Sequence, residues 1–150
     1  MGVDIHEAAR QAILAIVRGT VPDAERNAIN QVGELQPGML AATVEDGQPQ
    51  LVDELLSPHR LIYDQQVLIG VAAAEATQQQ ARAALTDALI AIAAAIEADR
   101  TLGGLVQTLQ LSAPAETQET LTMGGPDAAA KLMPVILAYS TGPNPMEALP

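Results

Sequence analysis

The chain has 150 residues, 49% of them apolar, a formal net charge of −11 and no cysteine. That length and apolar content fit one domain with a sizeable core and exclude disorder throughout, while the missing cysteines exclude disulfides, thiolate metal sites and cysteine nucleophiles and fit a reducing compartment. Seven basic residues against 18 acidic ones supply no cationic patch to displace counterions from a nucleic acid, so direct DNA binding is not expected.

With no Trp or Phe and only Tyr63 and Tyr139, the core must be aliphatic, each large side chain contributing roughly 1.5 to 3 kcal/mol. Ile5, Ala9, Ala12, Ile13, Ile16 and Val17 recur at steps of three and four, which predicts an amphipathic helix over residues 3–17. Asp4 and Glu7 in its first turn and Arg18 at its end suit the helix dipole, and Gly19 is its expected terminator. Early acids without a long apolar run do not read as a signal peptide. The longest apolar run, residues 88–96, is far short of the ~20 residues of a membrane span. Residues 22–36 read as an irregular connector with a short helical turn at 24–29.

From Met39 the period becomes two. Leu40, Ala42 and Val44 alternate with their neighbours, Asp46 and Gly47 give a hairpin signal, and residues 50–56 form the return strand, which Pro49 confines to an edge. Residues 39–58 are therefore expected to form a protruding acidic hairpin arm. Glu34, Glu45, Asp46, Asp53 and Glu54 lie between Asn27 and His59 without a Lys or Arg; their acidity reads as solubility, or as a surface that repels a polyanion or meets a basic partner. Residues 60–75 form the longest predicted strand, with Leu61, Tyr63, Val67, Ile69, Val71 and Ala73 on one face and Gln65 interrupting them.

A second helix is predicted over residues 77–99. Thr77 caps it, Ala81, Leu85, Ala88, Leu89, Ile92 and Ile96 form its inner face, and Gln78, Gln79, Gln80, Arg82, Asp87 and Glu97 fall largely outside. Its alanines make a smooth surface that can lie close to a sheet. Gly103 and Gly104 permit the left-handed backbone that ends a helix, and a strand is expected to start at Leu105 and Val106 and run to Leu111. Residues 113–122 continue extended and polar, residues 124–126 turn, and residues 131–139 form an apolar, interior strand in spite of Pro134. Residues 142–150, with three prolines, read as an extended tail. This order predicts a single α+β domain, a small mixed or antiparallel sheet packed against two helices.

Chemistry is sparse. His6 and His59 lack a ligand-type partner at helical spacing and read as exposed or capping residues. Neighbouring acids on a strand point to opposite faces, so the pairs Glu45–Asp46 and Asp53–Glu54 read as a solvated arm rather than an acid/base pair or a hard-cation site. No glycine-rich phosphate loop is present, and Ser57, Ser112 and Ser140 stand outside any nucleophile-elbow pattern. Neither an enzyme nor a cofactor or metal is expected.

The run Ala98, Asp99, Arg100, Thr101, Leu102, Gly103, Gly104, Leu105, Val106 resembles the helix-end signature of the tail terminators, small tail-completion proteins of long-tailed bacteriophages and gene-transfer agents. Two further features agree: Tyr63 and Asp64 ahead of an apolar run, and the closing strand Leu137, Ala138, Tyr139, Ser140, Thr141 with Asn144 and Pro145 after it. The likeness spans residues 60–146 and includes an opening helix of the same type; residues 23–58 match nothing. It implies a virion protein, assembled in the bacterial host cytoplasm, that forms a ring of about six copies. The ring would sit at the tail–neck junction, end polymerisation of the tail tube and join it to the neck or stopper protein, with DNA passing through the lumen unbound and no membrane involved. A neck or head-completion connector is the nearest alternative; a soluble adaptor, a small-molecule-binding module or an enzyme is more remote. The implied fold signature is Asp99, Thr101, Leu102, Gly103, Gly104, Leu105 and Tyr139. Candidate interface arms carry Glu45, Asp46, Gly47, Asp53, Glu54, Glu116, Glu119, Asn144 and Pro145, and Asp87 and Glu97 are candidate lumen acids that keep DNA off the channel wall.

Overall fold

A computed structural model describes residues 4–22, 24–26, 38, 40–56, 59–116 and 127–141. Helix α1 (Ile5–Thr20) opens the chain and is followed by strands β1 (Glu25–Arg26), β2 (Leu40–Asp46), β3 (Gln50–Leu56) and β4 (His59–Glu75). Helix α2 (Gln78–Glu97), β5 (Thr108–Leu111), β6 (Ala115–Glu116) and β7 (Asp127–Thr141) complete it. The result is an α+β fold in which one mixed sheet, antiparallel except where β1 meets β2, packs against two helices.

Asp4 caps α1, its carboxylate accepting from the backbone of His6 and Glu7. The helix runs through Gly19 and ends before Pro22, whose ring disfavours helical backbone at the residue ahead of it. Thr77 caps α2, Oγ1 accepting from the Gln80 N–H at 3.2 Å. All six residues of its expected inner face are buried, and nothing else on the helix is.

The sheet is built on two long central strands, β4 and β7, paired from Leu61↔Thr141 to Glu75↔Asp127, over all of β7 and all but the first two residues of β4. Each is flanked by an interrupted lane: β2 and β3 follow one another along β4, and β5 and β6 along β7. Along β4 the residues 65, 67, 69, 71 and 73 are buried on the helix side, joined by Met133, Val135, Leu137 and Tyr139 of β7. Pro134 sits opposite the break between β5 and β6, and its carbonyl accepts from Ser112 N–H. Its missing donor therefore points at an irregular stretch, which is how an interior strand tolerates a proline.

The expected hairpin at Asp46–Gly47 does not form. β2 and β3 do not pair with each other; both lie antiparallel to β4, β2 ending at Asp46↔Val67 and β3 starting at Gln50↔Asp64. Gly47, Gln48 and Pro49 oppose only Gln65 and Gln66, so this is a bulge in one long lane, and a second register shift follows between Leu51 and Asp53. The hairpin lies later, between Leu56 and His59. β3 is exposed at every residue and β2 is half-buried, and both lie along β4 within the sheet.

Candidate functional site

The signature after α2 is a self-satisfied turn. Leu102, Gly103 and Gly104 all adopt left-handed backbone, with φ of 49°, 70° and 93°. The Asp99 carboxylate accepts from Gly103 N–H at 2.9 Å, the Thr101 carbonyl from Gly104 and Val106 N–H at 3.0 Å each, and the Thr101 hydroxyl from Gly104 at 3.3 Å. The acid and the threonine thus satisfy donors that the tight turn would leave orphaned. Leu102 pays about 1 to 2 kcal/mol for its backbone, a cost that burial of its side chain at 4% exposure offsets with roughly 1.5 to 3 kcal/mol. Leu105 belongs to this turn, so β5 begins at Thr108 rather than at Leu105. Gly103→Val is expected to destabilise the fold by about 1 to 2 kcal/mol through its φ alone, since no atom crowds that position. A thermal melt checks it; a variant that stays fully stable would contradict the turn geometry.

A buried polar chain runs from α1 to the root of the arm. Tyr139, fully buried at the end of β7, donates its hydroxyl to Gln65 Oε1 at 2.8 Å and contacts His6 Nδ1 with the same oxygen. Because the hydroxyl hydrogen goes to Gln65, the His6 hydrogen is on Nδ1 and His6 is the donor. Gln65 Nε2 then donates to the Gly47 carbonyl at 3.0 Å, and the Gly47 N–H donates to the Gln66 carbonyl at 2.9 Å. The Tyr63 ring packs edge-on to His6 at 5.4 Å. Burial above all pushes the Tyr139 hydroxyl far above its ordinary range; the Arg10 guanidinium opposes this, and Asp4 and Tyr63 add to it.

His6 is therefore a core residue, 8% exposed, and not the exposed or capping histidine expected from sequence. His59 is exposed, and its Nε2 lies 2.7 Å from Glu54 Oε1 across the hairpin. Asp46 is no arm residue either: its side chain is 6% exposed and lies 3.9 Å from Arg10 Nε. Gly47 is held against β4 by a contact no side chain would permit, a Cβ there falling 2.4 Å from the Gln66 carbonyl oxygen. Glu45 is half-buried on β2. Asp53 and Glu54 remain on the arm, exposed. Around them Leu51, Val52, Leu55 and Leu56 are 55%, 52%, 44% and 81% exposed. Glu116 lies on β6, and Glu119, Asn144, Pro145 and the tail 142–150 fall outside the described residues. Asp87 and Glu97 are exposed on α2, and Glu97 approaches Arg100 at 3.8 Å.

The two outer lanes of the sheet differ in how they end. On β5 the Arg100 guanidinium donates to the Leu109 carbonyl at 3.1 Å, covering that edge with a charge. β3 instead carries two exposed acids of its own, Asp53 and Glu54, between its exposed leucines. A cleft of about 250 Å³ lies beside the turn, lined by Ile5, Gly103, Gly104, Leu105, Val106, Gln107 and Ser140. Its lining holds no titratable group, and Gln107 Nε2 donates to the Ser140 hydroxyl at 2.9 Å. Among the described residues no group of three or more His, Asp and Glu is placed to hold a metal ion, and no helix is long and apolar enough to cross a membrane. The chain matches no family model and no curated protein.

Proposed function

We propose that this chain is a structural subunit that works through contacts between copies and with the layers above and below it. In the specific form suggested by the signature at residues 98–106, it is a tail terminator. A ring of about six copies would cap the head-proximal end of a phage tail tube, stop its growth and present a surface to the neck, placing the protein at the tail–neck junction of the virion. The observation that carries this reading is β3, exposed along its whole length with Leu51, Val52, Leu55 and Leu56 in the open and paired, among the described residues, with β4 alone. A monomer that functioned alone would gain nothing from such an edge and would risk aggregation. The turn, by contrast, recognises a fold and performs no chemistry.

The test is to add the purified full chain to growing tail tubes of the same virus and image them by negative-stain electron microscopy. A ring at one end and arrested growth are expected; tubes that lengthen unchanged with no density at either end would overturn the proposal. Within such a ring, Glu97 is the better of the two candidate lumen acids, at the end of α2 away from the exposed apolar centre of its outer face. Glu97→Lys together with reversal of a second exposed acid is expected to slow DNA ejection from assembled particles, because the wall would then attract the polyanion. Unchanged ejection kinetics would remove the lumen role.

A further inference from the structure

At one end of the sheet both faces are buried, although both helices lie on one side of it. Residues 65, 67, 69, 71 and 73 of β4 face the helices, so Ala72 and Ala74 face the back of the sheet. They are nevertheless only 6% and 0% exposed. Neither belongs to the buried cluster around the helices, which takes in Ala73 between them. On the same back face Leu68, Leu132, Pro134 and Ile136 form an apolar, half-buried strip.

The ends of the stretches outside the described residues tell apart what can cover this face. Residues 142–150 leave from Thr141, which is registered with Leu61 at the far end of β4 from Ala74. Residues 117–126 join β6 to its antiparallel neighbour β7, a connection that crosses no face. Residues 27–39 join β1 to β2, which are parallel, and such a connection must cross a face and takes a dozen or more residues. This one has 13. From Arg26 beside Val44 it returns about 14 Å to the level of Leu40, well within the ~43 Å that 13 residues can span. Gly38 within it has φ of 86° and donates its N–H to the Ala74 carbonyl at 2.8 Å, so the stretch re-enters the sheet at the buried alanines.

The hand of the connection chooses the face. β4 and β5 are both antiparallel to β7, hence parallel to each other, and α2 joins them across the helix side. The step from β1 to β2 goes the same way across the sheet, but these two strands run opposite to β4 and β5. Crossovers between parallel strands are right-handed in about 98% of cases. With the strand direction reversed and the sideways step unchanged, the same hand requires the opposite face. We infer that the back of the sheet is the docking surface for residues 27–39, which bring Ile29, Val32 and Leu35 against its apolar strip. The inference stands apart from the ring reading and adds to it that this face is taken by the subunit's own chain, which leaves the β3 edge for other copies.

The test places a nitroxide on Gln31→Cys in the full chain, which has no other cysteine, and reads it by nuclear magnetic resonance. The amides of Leu68, Gly70 and Leu132 are expected to broaden more strongly than any in α2. Stronger broadening in α2, or none in either place, would overturn the inference. A second measurement labels Leu132→Cys with a thiol reagent. Its rate is expected to rise about tenfold when Ile29, Val32 and Leu35 are all replaced by Ser, because the apolar cover is then lost. Ile90→Cys, on the exposed side of α2, should label at the same rate in both backgrounds. An unchanged rate at position 132 in protein shown by circular dichroism to be folded would also overturn the inference; if the triple variant fails to fold, the nitroxide result decides alone.

Discussion

Tyr139→Phe is expected to lower the stability of the chain by roughly 2 to 6 kcal/mol, although it removes one oxygen atom and leaves the ring in place. Tyr139 is fully buried, and its hydroxyl is at once the donor to Gln65 Oε1 and the acceptor facing His6 Nδ1. Its loss takes the partner from two buried polar atoms, and each group so stranded costs about 1 to 3 kcal/mol. That is a large part of the 5 to 15 kcal/mol a domain typically has. Urea unfolding measures it, and the double variant with His6→Ala should recover part of the loss because one stranded group is then gone.

The same hydroxyl fixes a sign for the alkaline limb of stability. Its pKa in the folded chain lies well above the ordinary value of 10.0, so above pH ~10 the unfolded chain releases a proton that the folded chain keeps. Stability is therefore fully present below that pH and falls as pH rises through it, by about 1.4 kcal/mol per pH unit from this group. The Phe variant should lack that component. Parallel alkaline limbs in the two proteins would contradict the burial of the hydroxyl.

Gly47→Ala is expected to cost about 2 to 4 kcal/mol and to loosen the arm selectively. Its new Cβ would fall 2.4 Å from the Gln66 carbonyl oxygen, a backbone atom that cannot rotate away. Relief requires separating the lane from β4, a strain of about 1 to 3 kcal/mol, and weakens two hydrogen bonds that meet at Gly47, each worth about 0.5 to 1.5 kcal/mol net. Gln48→Ala, an exposed neighbour, serves as the control and should change stability by less than ~0.5 kcal/mol. Hydrogen exchange should quicken across β3 in the Gly47 variant while α2 keeps its protection. Uniform quickening would mean that the bulge does not hold the arm as a separate unit.

The second helix was legible in full because its six buried positions follow a period of 3.6 that needs no partner to define it. The long strand over residues 60–75 was legible from the period of two along its apolar face, and the closing strand from a near-continuous apolar run that suits a strand inside a sheet. The arm was not. Asp46–Gly47 has the composition of a two-residue hairpin, yet it equally suits a bulge where a carbonyl comes too close for any side chain, and only pairing with β4 distinguishes the two. That pairing is set by contacts outside the local sequence.

The buried chain through His6 shows the same limit at longer range. Its partner Tyr139 lies 133 residues away, so the residue looked like a lone histidine on a helix. Two signals were nonetheless present: His6 stands seven residues before Ile13, on the inner face of α1, and Gln65 interrupts an otherwise apolar strand face. A polar residue inside an apolar stripe calls for a buried partner, and each of these two is answered by Tyr139.

Native mass spectrometry of the full chain over a concentration series, alone and with tail tubes, combined with hydrogen exchange on the species it resolves, tests most directly whether β3 is an edge built for assembly. A species of about six copies in which the amides of Gln50–Leu56 exchange more slowly than in the monomer is the expected result. A monomer at every concentration, tubes present or absent, with those amides exchanging unchanged would contradict the account.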